Sequence, residues 1–293
     1  LSSLAVLQIQ QSHFMTVDNF AVLFSTVSLF LLVLISTEPC ITRNMGEDDG
    51  YHIKRKGILL FILFGVTLGM TLSSRINLLP LAGMLFIAVF LSVADLKISN
   101  KADLNKIVGL SLVLITVALF STIATFRVTQ PMSFRASAGD TTIFTVQLNP
   151  DWVESMKVAR NESRGIGGGP PSEQWAKRPA IIFPFLNMVL WGMGLPLGLT
   201  AWVGYFWAGW KSFGHGENWR SHLIILVWVG GYFIFMATRF VKTMRYFLPI
   251  YPFLCLLAAW ILIPHNPNHQ DKFSHKKAPN NQKLTVISTA WIA

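Results

Sequence analysis

The sequence predicts an all-α, polytopic bundle of membrane-spanning helices, and three observations carry that prediction. Of 293 residues, 52% are hydrophobic and only 13% charged, with a mean hydropathy of +0.49, far from the balance of a soluble domain. The apolar residues run on continuously over lengths that suit a hydrocarbon core of about 30 Å, which buried helices of a soluble protein do not require. Lys and Arg collect in alternate short loops between those runs, so the formal charge of +10 reads as membrane topology and not as a nucleic-acid footprint.

Seven runs qualify as spans: 20–35, 57–72, 79–94, 107–126, 181–210, 223–238 and 247–263. They divide the chain into four spans within 1–126, a polar loop at 127–180, three spans within 181–264, and a loop at 265–293 that ends in the start of a further span. The opening Leu1-Ser2-Ser3 and the apolar 284–293 lead us to expect a piece cut at both ends from a longer chain.

Taken in order, the first span opens on His13 and Asp18, which are too far apart in helical register to make more than a weak metal pair. Asp18 is placed to be a helix cap that starts the span. In the second span Gly65-Val-Thr-Leu-Gly69 and Ser73-Ser74 put small residues where helices approach closely, and Arg75 follows at the end, a snorkelling cation or a functional one. The fourth span is the cleanest. The fifth is long enough to tilt or to break within 192–198.

The 127–180 loop carries a helix start at Asn149-Pro150 and an amphipathic pattern over 150–164, with Trp152, Met156 and Ala159 opposite Glu154, Arg160 and Asn161. We expect that helix to lie on the outer leaflet. The glycine run at 165–171 stops it and reads as a hinge, since no strand precedes it and no Gly-Lys-Ser/Thr follows. Trp175, Lys177 and Arg178 then stand just outside the fifth span, either a sugar platform with phosphate ligands or an interfacial anchor.

Between the last two spans comes Arg239-Phe-Val-Lys-Thr-Met-Arg-Tyr-Phe-Leu-Pro-Ile-Tyr-Pro252. Cations this close to hydrocarbon are costly and call for an anion, and a lipid phosphate is the one to expect. If the segment were helical, Arg239, Lys242 and Tyr246 would share a face, with Pro249 and Pro252 resetting the backbone for the next span. Thirteen Lys and Arg in 36–56, 95–106, 211–222 and the tail from 264 stand against four in 73–78 and 239–246, with the seven of the long 127–180 loop set aside because long translocated segments weigh little, which puts the first set in the cytoplasm. Asp18, Arg75, the 127–180 loop and the 239–252 segment then all face outward. Cys40 and Cys255 form neither a disulfide framework nor a metal site, and no Ser-His-Asp grouping, Walker loop or dinucleotide fingerprint is present.

The combination of His13-Phe-Met-Thr-Val-Asp18, Gly65-x-x-x-Gly69 through Ser74-Arg75-Ile-Asn-Leu-Leu-Pro80, Pro170-Pro-Ser-Glu-Gln-Trp-Ala-Lys-Arg178, Phe183-Pro184-x-x-Asn187, Trp191-Gly-Met-Gly-Leu-Pro-Leu-Gly198 and Arg245-Tyr-Phe-Leu-Pro249 resembles the GT-C membrane glycosyltransferases. It is most similar to the protein O-mannosyltransferase-like enzymes of glycosyltransferase family 39. The resemblance implies a GT-C helix bundle in the plasma (inner) membrane that moves a sugar from a polyprenyl- or dolichyl-phosphate carrier to a protein, lipid or glycan acceptor, with inversion, on the extracytoplasmic face.

It further implies that Arg245 and Tyr246 lie near the carrier phosphate, and that Arg75, a position more often lysine in the family, points at the same cavity. Lys242, Arg239 and Arg178 are expected to assist with the phosphate, and Trp175 and His13 to contact sugar or acceptor. The general base is expected upstream of Leu1, with Asp18 a supporting carboxylate on the acceptor side and not the base. A Mg²⁺ or Mn²⁺ requirement occurs in some relatives. The rival outside enzymes is a transporter or flippase for an anionic or lipid-linked substrate, which should place its charges near the midplane in broken helices; a structural subunit would leave the 239–246 cations without a ligand.

Overall fold

A computed structural model describes residues 1–13, 16–44, 50–94, 96, 101–134, 147–166, 173–213 and 219–262. All of the expected 265–293 loop and span, the glycine run beyond Ile166 and the residues Phe14 and Met15 lie outside these. Among the described residues, six helical segments are long and apolar enough to cross a membrane: Val17–Thr37, Arg55–Ser74, Ile76–Val93, Lys101–Thr129, Trp219–Ala237 and Met244–Leu262. The protein is thus nearly all-α and of the multi-pass membrane kind. Its outer faces agree: Phe90, Phe120 and Trp210 are 69%, 73% and 80% exposed, which only a lipid environment accommodates on this scale.

α1 (Val6–Ser12) leads into α2 (Val17–Thr37), the central helix, which packs on α3 (Arg55–Ser74), α4 (Pro80–Val93) and α9 (Trp219–Ala237). α5 (Lys101–Thr129) lies along α3 in the most extensive helix pairing of the fold. The expected close approach is there: a Cβ on Gly69 would stand 2.8 Å from the Thr122 carbonyl oxygen, and one on Gly65 would collide with the Ala118 carbonyl. Small residues let the two backbones touch, which is where dispersion is gained when lipid supplies no hydrophobic driving force. Ser28 Oγ donates to Thr67 Oγ1 at 2.9 Å, a polar tie between α2 and α3.

One expectation needs correction. The chain is not purely α: Ile41–Asn44 (β1) and Gly50–Ile53 (β2) pair antiparallel, Ile41 opposite Ile53, and close the connection from α2 to α3. Cys40 is packed beneath this hairpin, where burial pushes its thiol up to about 11, so it acts as a core residue and not as a nucleophile. The run 181–210 breaks, one of the two outcomes its length allowed, into α7 (Ile182–Asn187), a π turn at Met188–Gly192, and α8 (Leu195–Phe213). Gly194, at φ +82°, makes the break in a conformation glycine adopts without steric cost.

α8 packs on α9 and on α10 (Tyr251–Leu262), while α1 and the turn Ser2–Leu4 close over the π turn and α10. α6 (Pro150–Ser163) is the amphipathic helix anticipated at 150–164, with Trp152, Val153 and Met156 half-buried and Ala159 exposed. The Asn149 side chain caps it, accepting from the Asp151 amide at 3.0 Å.

Candidate functional site

Alternation of the helices brings the start of α2, the ends of α3 and α5, α6 and the 238–246 segment to one end of the bundle. Gln130 Nε2 donates to the Ser73 carbonyl at 2.8 Å, and the Phe240 amide donates to the Ser163 carbonyl at 3.0 Å. Asp18 sits in the first turn of α2 and Arg75 at the C-cap of α3, each at the helix end whose dipole favours its charge. They form an ion pair through Arg75 Nε and an Asp18 carboxylate oxygen, with side chains only 18% and 3% exposed. Asp18 is therefore not the N-cap, which is Thr16, and Arg75 does not simply snorkel. Losing either partner would strand a charge in a dry place, a cost of about 3–5 kcal/mol.

Arg75 also lies against Tyr246, its Cζ 5.0 Å from the ring centroid, and Arg245 approaches the same ring at 5.7 Å. Tyr232 Oη donates to the Tyr246 carbonyl at 3.1 Å while its own ring stacks on Trp228 at 4.7 Å. Tyr246 is thus held by backbone and by ring at once.

The 239–246 cations do not share a helical face, because 239–243 is irregular and the 3-10 turn begins only at Met244. Arg239 rests on Phe235 at 4.4 Å, Arg245 is exposed, and Lys242 is buried with Nζ donating to the Phe240 carbonyl at 3.1 Å. Burial pulls the Lys242 ammonium below its ordinary value. Among the described residues none of these three cations meets a carboxylate, in contrast to Arg75. No protein-family model, curated protein or solved structure matches the chain.

The site is latched by α6. A Cβ on Gly165, at φ +78°, would stand 2.8 Å from the Phe240 ring, so glycine both allows the turn and leaves room for the ring. Trp152 in turn packs edge-on against Phe126 at the end of α5. Trp175 and Arg178 come together around Phe183, the ring at 6.2 Å and the guanidinium at 5.0 Å, and not around Tyr246. His13 is exposed, its Nδ1 2.8 Å from the Ile9 carbonyl of its own helix.

Among the described residues no three His, Cys, Asp or Glu side chains converge. Asp18 is committed to a guanidinium, while Asp151, Glu154 and Glu162 of α6 are exposed at the same end. Sequence reasoning missed Tyr232 and the Phe240–Gly165 contact. Tyr232 had a usable signal, its four-residue spacing from Trp228 within a span; the latch joins positions too distant in the chain to be read from spacing.

Proposed function

We propose that the chain belongs to a plasma-membrane glycosyltransferase that moves a sugar, a mannose-like hexose, from a polyprenyl- or dolichyl-phosphate carrier to an acceptor at the extracytoplasmic face. The observation that carries this reading is the grouping of Arg239, Lys242 and Arg245 at one end of a membrane bundle, where among the described residues no carboxylate neutralises them. A charge left so close to hydrocarbon is stabilised by an anion delivered from the membrane, and a lipid phosphate arrives at that depth. The distribution of Lys and Arg over the loops supports an outward orientation for this end.

In the reaction the acceptor hydroxyl gives its proton to a carboxylate base, and its oxygen attacks the anomeric carbon. The bond from that carbon to the phosphate oxygen breaks, and the electron pair leaves on the polyprenyl phosphate. Negative charge grows on the phosphate as it departs, and Arg245 with Lys242 is set to stabilise it there. Arg239 adds to the local field.

The break at Gly194 favours a second reading, a flippase or transporter of an anionic lipid, since interrupted helices line such pathways. Transfer of radiolabelled sugar from polyprenyl-phosphate donors, in membranes expressing the whole gene, separates the two. We expect transfer in the wild type and a loss of about a hundredfold in Arg245→Ala, the scale of removing one charge-stabilising donor. Absence of transfer from any donor, with protein-dependent movement of the labelled lipid between leaflets, would establish the transporter instead.

A further inference from the structure

Resting on that reading, we propose that Asp18 and Arg75 are positioning residues for Tyr246 and Arg245, and that Arg75 is not itself a ligand of the carrier phosphate. Two guanidinium groups approach one phenol ring, Arg75 at 5.0 Å and Arg245 at 5.7 Å. Like charges gathered at one ring repel, and Arg75 lies on the shielded side of it. Asp18 cancels one of them. The carboxylate is 3% exposed and ion-paired with Nε of Arg75, so it neutralises that guanidinium and holds it beside α2.

With Arg75 neutralised and laid on one part of the ring, Arg245 shares the ring and keeps its own charge exposed. Tyr232 completes the arrangement from the backbone side, through its 3.1 Å bond to the Tyr246 carbonyl. Three elements meet here, α2, α3 and the 3-10 turn Met244–Ile250, and the ion pair is what aligns them.

The sign of one substitution distinguishes this arrangement from direct ligation. If Arg75 held phosphate, Asp18→Asn would free a cation and raise affinity for the anion, and Arg75→Lys would be tolerated because a point charge suffices for phosphate. If Arg75 positions Tyr246, Asp18→Asn leaves two uncompensated cations at one ring and affinity falls. Arg75→Lys then fails too, because an ammonium cannot present a planar face to the ring while bonding the carboxylate.

The experiment uses the purified full-length protein in phosphatidylcholine nanodiscs, with a polyprenyl monophosphate as the probe and a fluorinated tyrosine at position 246. Asp18→Asn and Arg75→Lys are each expected to weaken binding about tenfold, as loss of an orienting partner does elsewhere, to shift the fluorine resonance, and to leave Asp18→Glu close to wild type. The neutral pair Asp18→Asn with Arg75→Gln keeps a hydrogen bond and guards against misfolding; it too should bind weakly. Unchanged or tighter binding in Asp18→Asn would overturn the proposal. If the wild type bound no polyprenyl phosphate, the transferase reading would fall, and the resonance alone would decide: an unmoved signal in Asp18→Asn overturns the positioning role, a displaced one sustains it.

Discussion

Among the described residues, glycines apart, Ile181 alone has a positive φ, 65°. With ψ at −58° and the Ile182 amide donating to the Ala180 carbonyl at 2.6 Å, it forms a three-residue γ turn that a β-branched side chain resists. The turn lets α7 start directly beneath Trp175 and Arg178, whose contacts with Phe183 over-determine it. Ile181→Gly is expected to stabilise the protein by about 1 kcal/mol, the released strain less the entropy glycine adds to the unfolded chain, read as a higher thermal midpoint. A lower midpoint would show that the turn is unstrained.

Lys242 makes the second prediction at this scale. Its folded value lies below the ordinary 10.5, so between the two the folded state binds fewer protons than the unfolded one. Stability therefore rises with pH across that window, while anion binding that depends on the ammonium falls over the same range. Lys242→Met should flatten both trends in denaturation and lipid-binding titrations, leaving the pH-independent contribution of the arginines. Persistence of either slope in the variant would assign it to another group. Asp18, Arg75, Tyr246 and the three 239–245 cations were all legible in the sequence as unusual residues at span ends. What was not legible was the partition among them, because an ion pair between positions 18 and 75 depends on which helices become neighbours.

At the scale of elements, the α3–α5 pairing shows what a small-residue pattern can and cannot say. Gly65 and Gly69 announced a close approach, yet nothing in their spacing named the fourth span as the partner. Gly69→Leu is expected to destabilise the protein by about 3 kcal/mol or more, because its Cβ would meet backbone at Thr122 as well as the Thr125 side chain. Gly83→Leu, on a helix face where a Cβ meets nothing within 4 Å, serves as the neutral control. Loss of monodisperse protein in the first and not the second checks it. The fifth run was legible as liable to break within 192–198, since Gly192, Gly194 and Pro196 disfavour a continuous helix, and the break comes there, where Gly194 takes a left-handed turn. The hairpin at Ile41–Ile53 escaped notice because its strands are four residues each and too short to display alternation.

For the molecule as a whole, hydropathy alone disclosed the multi-pass architecture, because a bilayer forces backbone polar groups into helices and so makes apolar length nearly sufficient. The polar loops followed no such constraint, and there only Asn149-Pro150 carried enough local chemistry to fix an element in advance. The position of the hairpin bears on how the protein enters its membrane. α2, the hairpin and α3 form one antiparallel unit, closed at one end by β1 and β2 and at the other by Asp18 and Arg75. If the hairpin stays on the side of synthesis, both charged residues travel through the lipid at the leading edge of the same unit. Threaded singly, each would have to cross as a bare ion; carried as a couple, they cross with no net charge. The contact that later aligns Tyr246 would then also serve as the permit for the first two helices to insert together.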